Sequence, residues 1–209
     1  MNGVVSTSMQ KRGLDYKLNY GVSVLILKDM AKNLPKDHLL AQLLWSKEVR
    51  EMKILATMIQ PTDQFTTPIA NRWIESIVFA EQAEQACLNL FQHLPQAKAL
   101  AMDWLSSDSD IVRFTTWHLL ARLAKKRCEF TPSDLHQILS QALLDLESDQ
   151  LNRYNGALLA LKRIGADNKE FANTIIDQIK KLPLLNSTKK QQLIDDLTFE
   201  FEYYASTSL

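Results

Sequence analysis

Apolar positions recur along this chain at spacings of three and four residues, the pattern of amphipathic helices. Residues 19–61 show it most clearly and predict three consecutive helices with little chain between them. Pro35 ends the first helix, and Asp37 caps the second, which runs to Trp45. We expect Ser46 to cap the third helix. The apolar stripe of that helix comprises Val49, Met52, Ala56 and Ile59.

The side of the third helix opposite this stripe carries basic residues. They are Lys47, Arg50 and Lys53. A packed back with a basic front predicts contact with an anionic partner, while the alternative is an ordinary solvated face. The same two interpretations apply to a later basic cluster, made of Arg122, Lys125, Lys126 and Arg127.

The rest of the chain continues in short, capped helical segments, which makes about eleven helices in all. Thr131 begins a capped segment, and Gly165 is a plausible C-cap. We expect a loose leader over residues 1–18 and a single domain over residues 19–209. The aromatic residues of the tail are expected to cover the last part of the core: Phe199, Phe201, Tyr203 and Tyr204.

Two of the helical segments resemble each other at an offset of forty residues. The first contains Ile111, Arg113, Phe114, Leu119 and Arg122, and the second contains Leu151, Arg153, Tyr154, Leu159 and Lys162. Helix pairs with this period are typical of HEAT and armadillo repeats. The pattern therefore predicts an all-α fold, an α-α superhelix in the form of a curved solenoid of HEAT-like repeats.

Composition adds limits to this picture. Good helix formers are abundant, glycines number five, and the formal net charge is zero, so a nucleic-acid surface would have to be local. The two cysteines show no metal or disulfide spacing, and no apolar run approaches a membrane span. We expect a cytoplasmic monomer that uses no cofactor and does not bind membranes.

Catalytic templates are missing from the sequence. The four histidines and two cysteines lack metal-ligand spacing, and neither a phosphate loop nor a nucleophile elbow is present. Arg113 and Arg153 instead project towards the apolar sides of their helices. Such arginines either form buried ion pairs or line an electropositive groove that meets phosphates. Trp73, forty residues before Arg113, is either a core residue or part of that groove.

The phrases YGVSVLILKDMAK and LLWSKEVREMKILA resemble the opening of the DNA alkylation repair family of alkylpurine DNA glycosylases. Members of that family are curved stacks of HEAT-like repeats. The resemblance covers about forty residues and is looser afterwards. Its matching positions are Gly21, Val22, Ala31, Lys32, Leu44, Trp45, Glu51, Leu55 and Ala56.

The resemblance also implies a site. In active members a groove tryptophan is followed four residues later by an aspartate, and later repeats supply an arginine and a second tryptophan. Trp73 and Arg113 stand at the first tryptophan and at the arginine. Ile77 stands at the aspartate position, and Leu159 stands at the second tryptophan. Because an oxocarbenium-like transition state needs a fixed negative charge nearby, these departures predict inefficient cleavage of alkylated purines.

Together these observations predict a protein that binds duplex DNA in a concave groove. The groove residues would be Trp73, Arg113 and Arg153, with Lys47, Arg50 and Lys53 as further phosphate contacts. If the chain is an enzyme, the resemblance implies a DNA glycosylase acting on alkylpurines. The alternative is a non-catalytic helical-repeat scaffold that binds a protein partner.

Overall fold

The computed structural model describes residues 6–8, 11, 16–183 and 186–207, with side chains up to Tyr203. Most of the expected leader lies outside these residues. From Val24 onwards the described part contains eleven α-helices and two short 3-10 helices. The α-helices are α1 (Val24–Lys32), α2 (His38–Trp45), α3 (Arg50–Ile59), α4 (Thr67–Glu75), α5 (Ala80–Asn89), α6 (Ala97–Trp104), α7 (Asp110–Lys125), α8 (Pro132–Leu146), α9 (Leu151–Ala166), α10 (Lys169–Ile179) and α11 (Ser187–Thr207).

Local capping signals account for many of these boundaries. The Asp37 carboxylate accepts a hydrogen bond from the Leu40 amide, and the Asn168 side chain accepts one from the Phe171 amide. Thr131 and Asp134 form a reciprocal capping box at the start of α8. These side chains satisfy amide donors that the first turn of a helix leaves unpaired.

The predicted start of the third helix was wrong. Ser46 ends α2, where its hydroxyl donates to the Leu43 carbonyl, and α3 begins only at Arg50. Residues 46–48 form a turn and bends, and Val49 is extended because it forms a bridge with Leu18, whose carbonyl accepts from the Arg50 amide. This contact spans thirty-one positions of the sequence, so a local capping rule could not anticipate it.

The chain divides into two compact units, Met1–Gln96 and Ala97–Leu209. In the first unit α3 is central, since it packs against α1, α2 and α5. Nearly every residue of α3 is buried, including the charged ones. The expectation of one domain over residues 19–209 remains a prediction.

The second unit has two layers. Helices α7, α9 and α11 form one layer, and α6, α8 and α10 pack on them to form the other. The most extensive contact joins α7 and α9, the two helices of the forty-residue repeat. Gly156 permits it, because a Cβ there would lie 3.0 Å from the Cβ of Trp117. The small residues of α9 therefore make room for α7.

The last helix covers the end of the second unit. Leu193 and Leu197 are buried, and Phe201 packs so closely on α9 that a Cβ on Gly165 would clash with its ring. Gly165 thus serves close packing inside the last turn and is not the C-cap. The expectation for the tail was correct for Phe201 but wrong for Phe199, which is 69% exposed. Tyr203 is also exposed, and the Tyr204 side chain lies outside the described set.

Candidate functional site

Trp73 on α4 lies in the core of the first unit. The sequence had left two alternatives for it, a core residue or part of the groove. Its indole is 2% exposed and stacks on Trp45 with ring centroids 4.0 Å apart and planes 1° from parallel. Its Nε1 donates to the Gln42 side chain at 3.1 Å, and Phe65 packs edge-on against the ring. Ile77, just beyond α4, is also 2% exposed. Neither side chain offers surface to a nucleotide in this conformation.

The sequence predicted an exposed basic face on the third helix, and that prediction was wrong. Lys47 is exposed but precedes α3, whereas Arg50 is 1% exposed and lies inside the protein. The Arg50 guanidinium donates to both oxygens of Glu81, to the Glu51 carboxylate and to the Val22 carbonyl. Two carboxylates therefore neutralise this arginine.

Glu51 fixes the chain segment that precedes α1. Its two oxygens accept from the amides of Tyr20 and Val22, each at 3.1 Å. Gly21 between them has a φ of 70°, a conformation that glycine adopts at little cost. Part of the family resemblance rested on Gly21, Val22 and Glu51. In the structure these residues fix the conformation of the segment before α1.

Lys53 completes the buried side of α3. Its Nζ lies 4.9 Å from the ring centroid of Trp45 and 3.7 Å from the Glu48 carboxylate. Burial lowers the pKa of the Lys53 ammonium, and Glu48 partly opposes that shift. The side chain is 7% exposed, so this charge also faces the protein.

In the second unit Arg113 forms a buried ion pair with a carboxylate that the sequence analysis missed. Its guanidinium lies 2.7 Å from Asp145 on α8, and the Asp145 side chain is also bonded by Trp117 Nε1 at 2.6 Å. Arg113 donates further to the Leu105 carbonyl and to Gln141. Asp145 is 1% exposed. The signal for it was its place in the stripe of α8, three residues after the buried Ala142.

Arg153 on α9 joins the same network from its edge. Its Nη1 lies 3.9 Å from Asp145, while its Nε bonds Asp110 at 2.5 Å. The structure thus brings Arg113 and Arg153 together, but around a shared carboxylate. Leu159, further along α9, is half-buried and apolar.

The exposed side of α7 differs from these networks. Lys125, Lys126 and Arg127 are exposed at its C-terminal end, and Arg122 lies half-buried one turn earlier. Arg122, Lys125 and Arg127 form no ion pair with any described carboxylate. The Arg122 Nε is buried and has no hydrogen-bond partner in the described structure. We call these four residues the α7 basic cluster.

His118 lies one turn before Arg122 on the same side of α7. Burial lowers the pKa of its imidazole to about 4, and the positive charge of Arg122 contributes to the shift. The ring also contacts Phe114, with centroids 4.3 Å apart. His118 is therefore neutral at pH 7 and adds no charge to the cluster.

The described residues contain no group of three or more histidine, cysteine or acidic side chains placed to hold a metal ion. Among the described helices, none combines the length and apolar character needed to cross a bilayer.

Fold and site together define a helical-repeat protein with buried arginine–carboxylate networks and an exposed basic helix end. A search of solved structures supports the fold. One chain, from a study of a new family of proteins related to the HEAT-like repeat DNA glycosylases with affinity for branched DNA structures, matches with a TM-score of 0.77. It is 13% identical, and the match covers 94% of this chain and 88% of that one. The all-α fold of HEAT-like repeats is therefore confirmed.

The sequence profile of the DNA alkylation repair enzyme family matches residues 6–180. The chain therefore belongs to this family, as the resemblance of its opening helices predicted. No curated protein matches it.

Proposed function

We propose that this chain binds duplex DNA and that the α7 basic cluster makes the main phosphate contacts. The observation that carries the proposal is the pair of exposed cations Lys125 and Arg127, which no described carboxylate neutralises, with Arg122 one turn before them. Their charges are therefore available to an anionic ligand at the protein surface. Phosphate, like carboxylate, is an anionic acceptor that arginine binds through charge-assisted hydrogen bonds.

Family membership and the neighbour with affinity for branched DNA support this choice of partner. The charge distribution supports it as well, because DNA binding depends on local phosphate neutralisation and not on net charge. Arg113 and Arg153, which we first expected to meet phosphates, are engaged by Asp145 and Asp110. In this proposal they position α7 and α9 and do not contact DNA directly.

The proposal includes little glycosylase chemistry. Ile77 offers no charge at the aspartate position, and Asp145 is neutralised by Arg113 inside the protein. A developing oxocarbenium ion therefore has no described carboxylate free to stabilise it at the expected place. We expect release of 7-methylguanine from duplex DNA at no more than the spontaneous rate.

The test is a salt series of binding to a labelled duplex by fluorescence anisotropy, from about 50 to 200 mM salt. The double variant Arg122→Gln/Lys125→Gln should bind more weakly, and the slope of log affinity against log salt should fall by about two. Lys180→Gln/Lys181→Gln is the matched control. It removes two charges just after the C-terminal end of α10, about 16 Å from the start of that helix.

An unchanged slope in the Arg122→Gln/Lys125→Gln variant would refute the assignment of the phosphate contacts.

A second candidate function, the protein scaffold, is favoured by apolar side chains exposed on the first unit. These are Leu25, Ile26 and Met30 on α1, and Leu39 and Leu43 on α2. Exposed apolar side chains on neighbouring helices are a feature of protein interfaces. The scaffold replaces the DNA proposal if the native chain binds no duplex at low salt.

A further inference from the structure

A cleft of about 610 Å³ opens where α7 and α9 end and α8 and α10 begin. Its volume falls in the range of small-ligand sites, about 300–1,000 Å³. Part of its wall is apolar. That part consists of Ala124, Phe130, Leu135 and Ile164. Such a wall provides a surface on which a planar aromatic ligand can lie.

The polar part of the wall carries charges of both signs. Arg127 and Arg163 are the cations, and Glu129 and Asp167 are the anions, with Asn168 beside them. Glu200 lies 3.3 Å from Arg163 and balances part of its charge. This mixture does not suit a simple inorganic anion, since the charges nearly cancel. It suits a ligand that has both a phosphate and a base edge with N–H donors.

Arg127 connects this cleft to the α7 basic cluster. It follows Lys125 and Lys126 directly in the chain, and its side chain lines the cleft. Its φ is 57°, in the left-handed region that favours glycine, at the position where Cys128 closes the helix on Leu123. Replacing Arg127 by glycine therefore removes the side chain without straining the backbone.

We propose that this cleft takes one unpaired nucleotide of a DNA strand, an inference that rests on the proposed DNA-binding function. The base would stack on the Phe130 side of the wall, as unpaired bases stack on aromatic side chains. Arg127 and Arg163 would bind the phosphate. Asp167 and Asn168 would face the base edge, where carboxylate and amide groups accept from exocyclic amines.

Another cleft of the second unit is less suited to this ligand. It has a volume of about 670 Å³ and lies beside the starts of α9 and α11. Glu147, Asp149 and Asp196 line it, against the single cation Lys189. Three carboxylates would repel a phosphate, so the cleft at Arg127 is the better candidate.

Cys128 lines the cleft and provides a direct readout of its occupancy, while Cys87 is fully buried. Burial raises the pKa of the Cys128 thiol, so alkylation is measured at mildly alkaline pH. The probes are a blunt duplex and the same duplex with a short unpaired tail. We expect the tailed duplex to slow alkylation of Cys128 about tenfold and the blunt duplex to leave it nearly unchanged.

Two variants complete the experiment. Arg127→Gly and Phe130→Ala should reduce the preference for tailed over blunt duplex about tenfold, whereas Lys181→Gln should keep it. Equal protection of Cys128 by both duplexes, or no protection by either while both bind, would overturn the cleft assignment and leave the proposed function standing. If neither duplex binds at low salt, the proposed function itself fails.

Discussion

The basic residues of α3 and those at the end of α7 look alike in sequence but differ in the folded chain. On α3, Arg50 and Lys53 are buried, and Arg50 is held by Glu51 and by Glu81 from thirty-one positions later. At the end of α7, Lys125 and Arg127 are exposed and form no ion pair with a described carboxylate. Helical spacing of basic residues therefore does not identify a DNA-binding surface. Whether such residues are available to DNA depends on whether neighbouring helices supply the counter-charge.

The buried side of this comparison is tested most strongly by Asp145→Asn. Asparagine keeps the shape of the side chain but leaves the Arg113 guanidinium buried without its counter-charge. Removing one partner of a buried pair typically costs about 3–5 kcal/mol, which should appear in the free energy of unfolding in urea. Asp177→Asn is the control, because its pair with Lys180 is exposed and contributes at most about 0.5 kcal/mol. Equal losses in the two variants would show that Asp145 is not the centre of the network.

The next largest effect is the pH dependence of stability that His118 on α7 produces. His118 has a pKa of about 4 in the folded chain and about 6.5 when unfolded, so between these values the unfolded state binds more protons. Stability should therefore be complete above pH 6.5 and fall as the pH drops towards 4. Near pH 4.5 the native chain should have lost roughly 2 kcal/mol more than His118→Gln. Parallel stability curves for the two chains would contradict the shifted pKa.

Glu51→Gln tests the buried network of the first unit. A glutamine cannot accept at both side-chain atoms, so one of the Tyr20 and Val22 amides loses its partner. Arg50 still has Glu81, and we expect a loss of only about 1–2 kcal/mol in the free energy of unfolding. A loss as large as that of Asp145→Asn would mean that the two networks do not differ in the way described.

The smallest effect has the opposite sign. Arg127→Gly should raise the free energy of unfolding by about 1 kcal/mol, because the left-handed conformation strains arginine but not glycine. Lys126→Gly is the matched control: its φ of −87° gives glycine no such advantage, so that variant should be no more stable than the native chain. If Arg127→Gly also weakens DNA binding, the side chain serves binding at the expense of folding.

Local sequence signals predicted the helices well. Asp37, Thr131 and Asn168 cap their helices through bonds that span three positions, so the neighbouring sequence contains the whole interaction. The candidate site was harder to predict from the sequence, because the partners of its arginines come from helices that are distant in the chain. Asp145 lies thirty-two positions from Arg113, and Glu81 lies thirty-one from Arg50. A single sequence shows that such arginines need partners, but only the packing of the helices shows which residues they are.

The stacked indoles of Trp45 and Trp73 also have an optical consequence. Two nearly parallel rings with centroids 4.0 Å apart should couple electronically and give the first unit its own circular-dichroism signature. Trp104 and Trp117 lie in the second unit, so total tryptophan fluorescence reports the unfolding of both units. The coupled band and the total fluorescence are therefore two different probes of the native chain. Comparing their denaturation midpoints would show, without any added probe, whether the two units unfold as one.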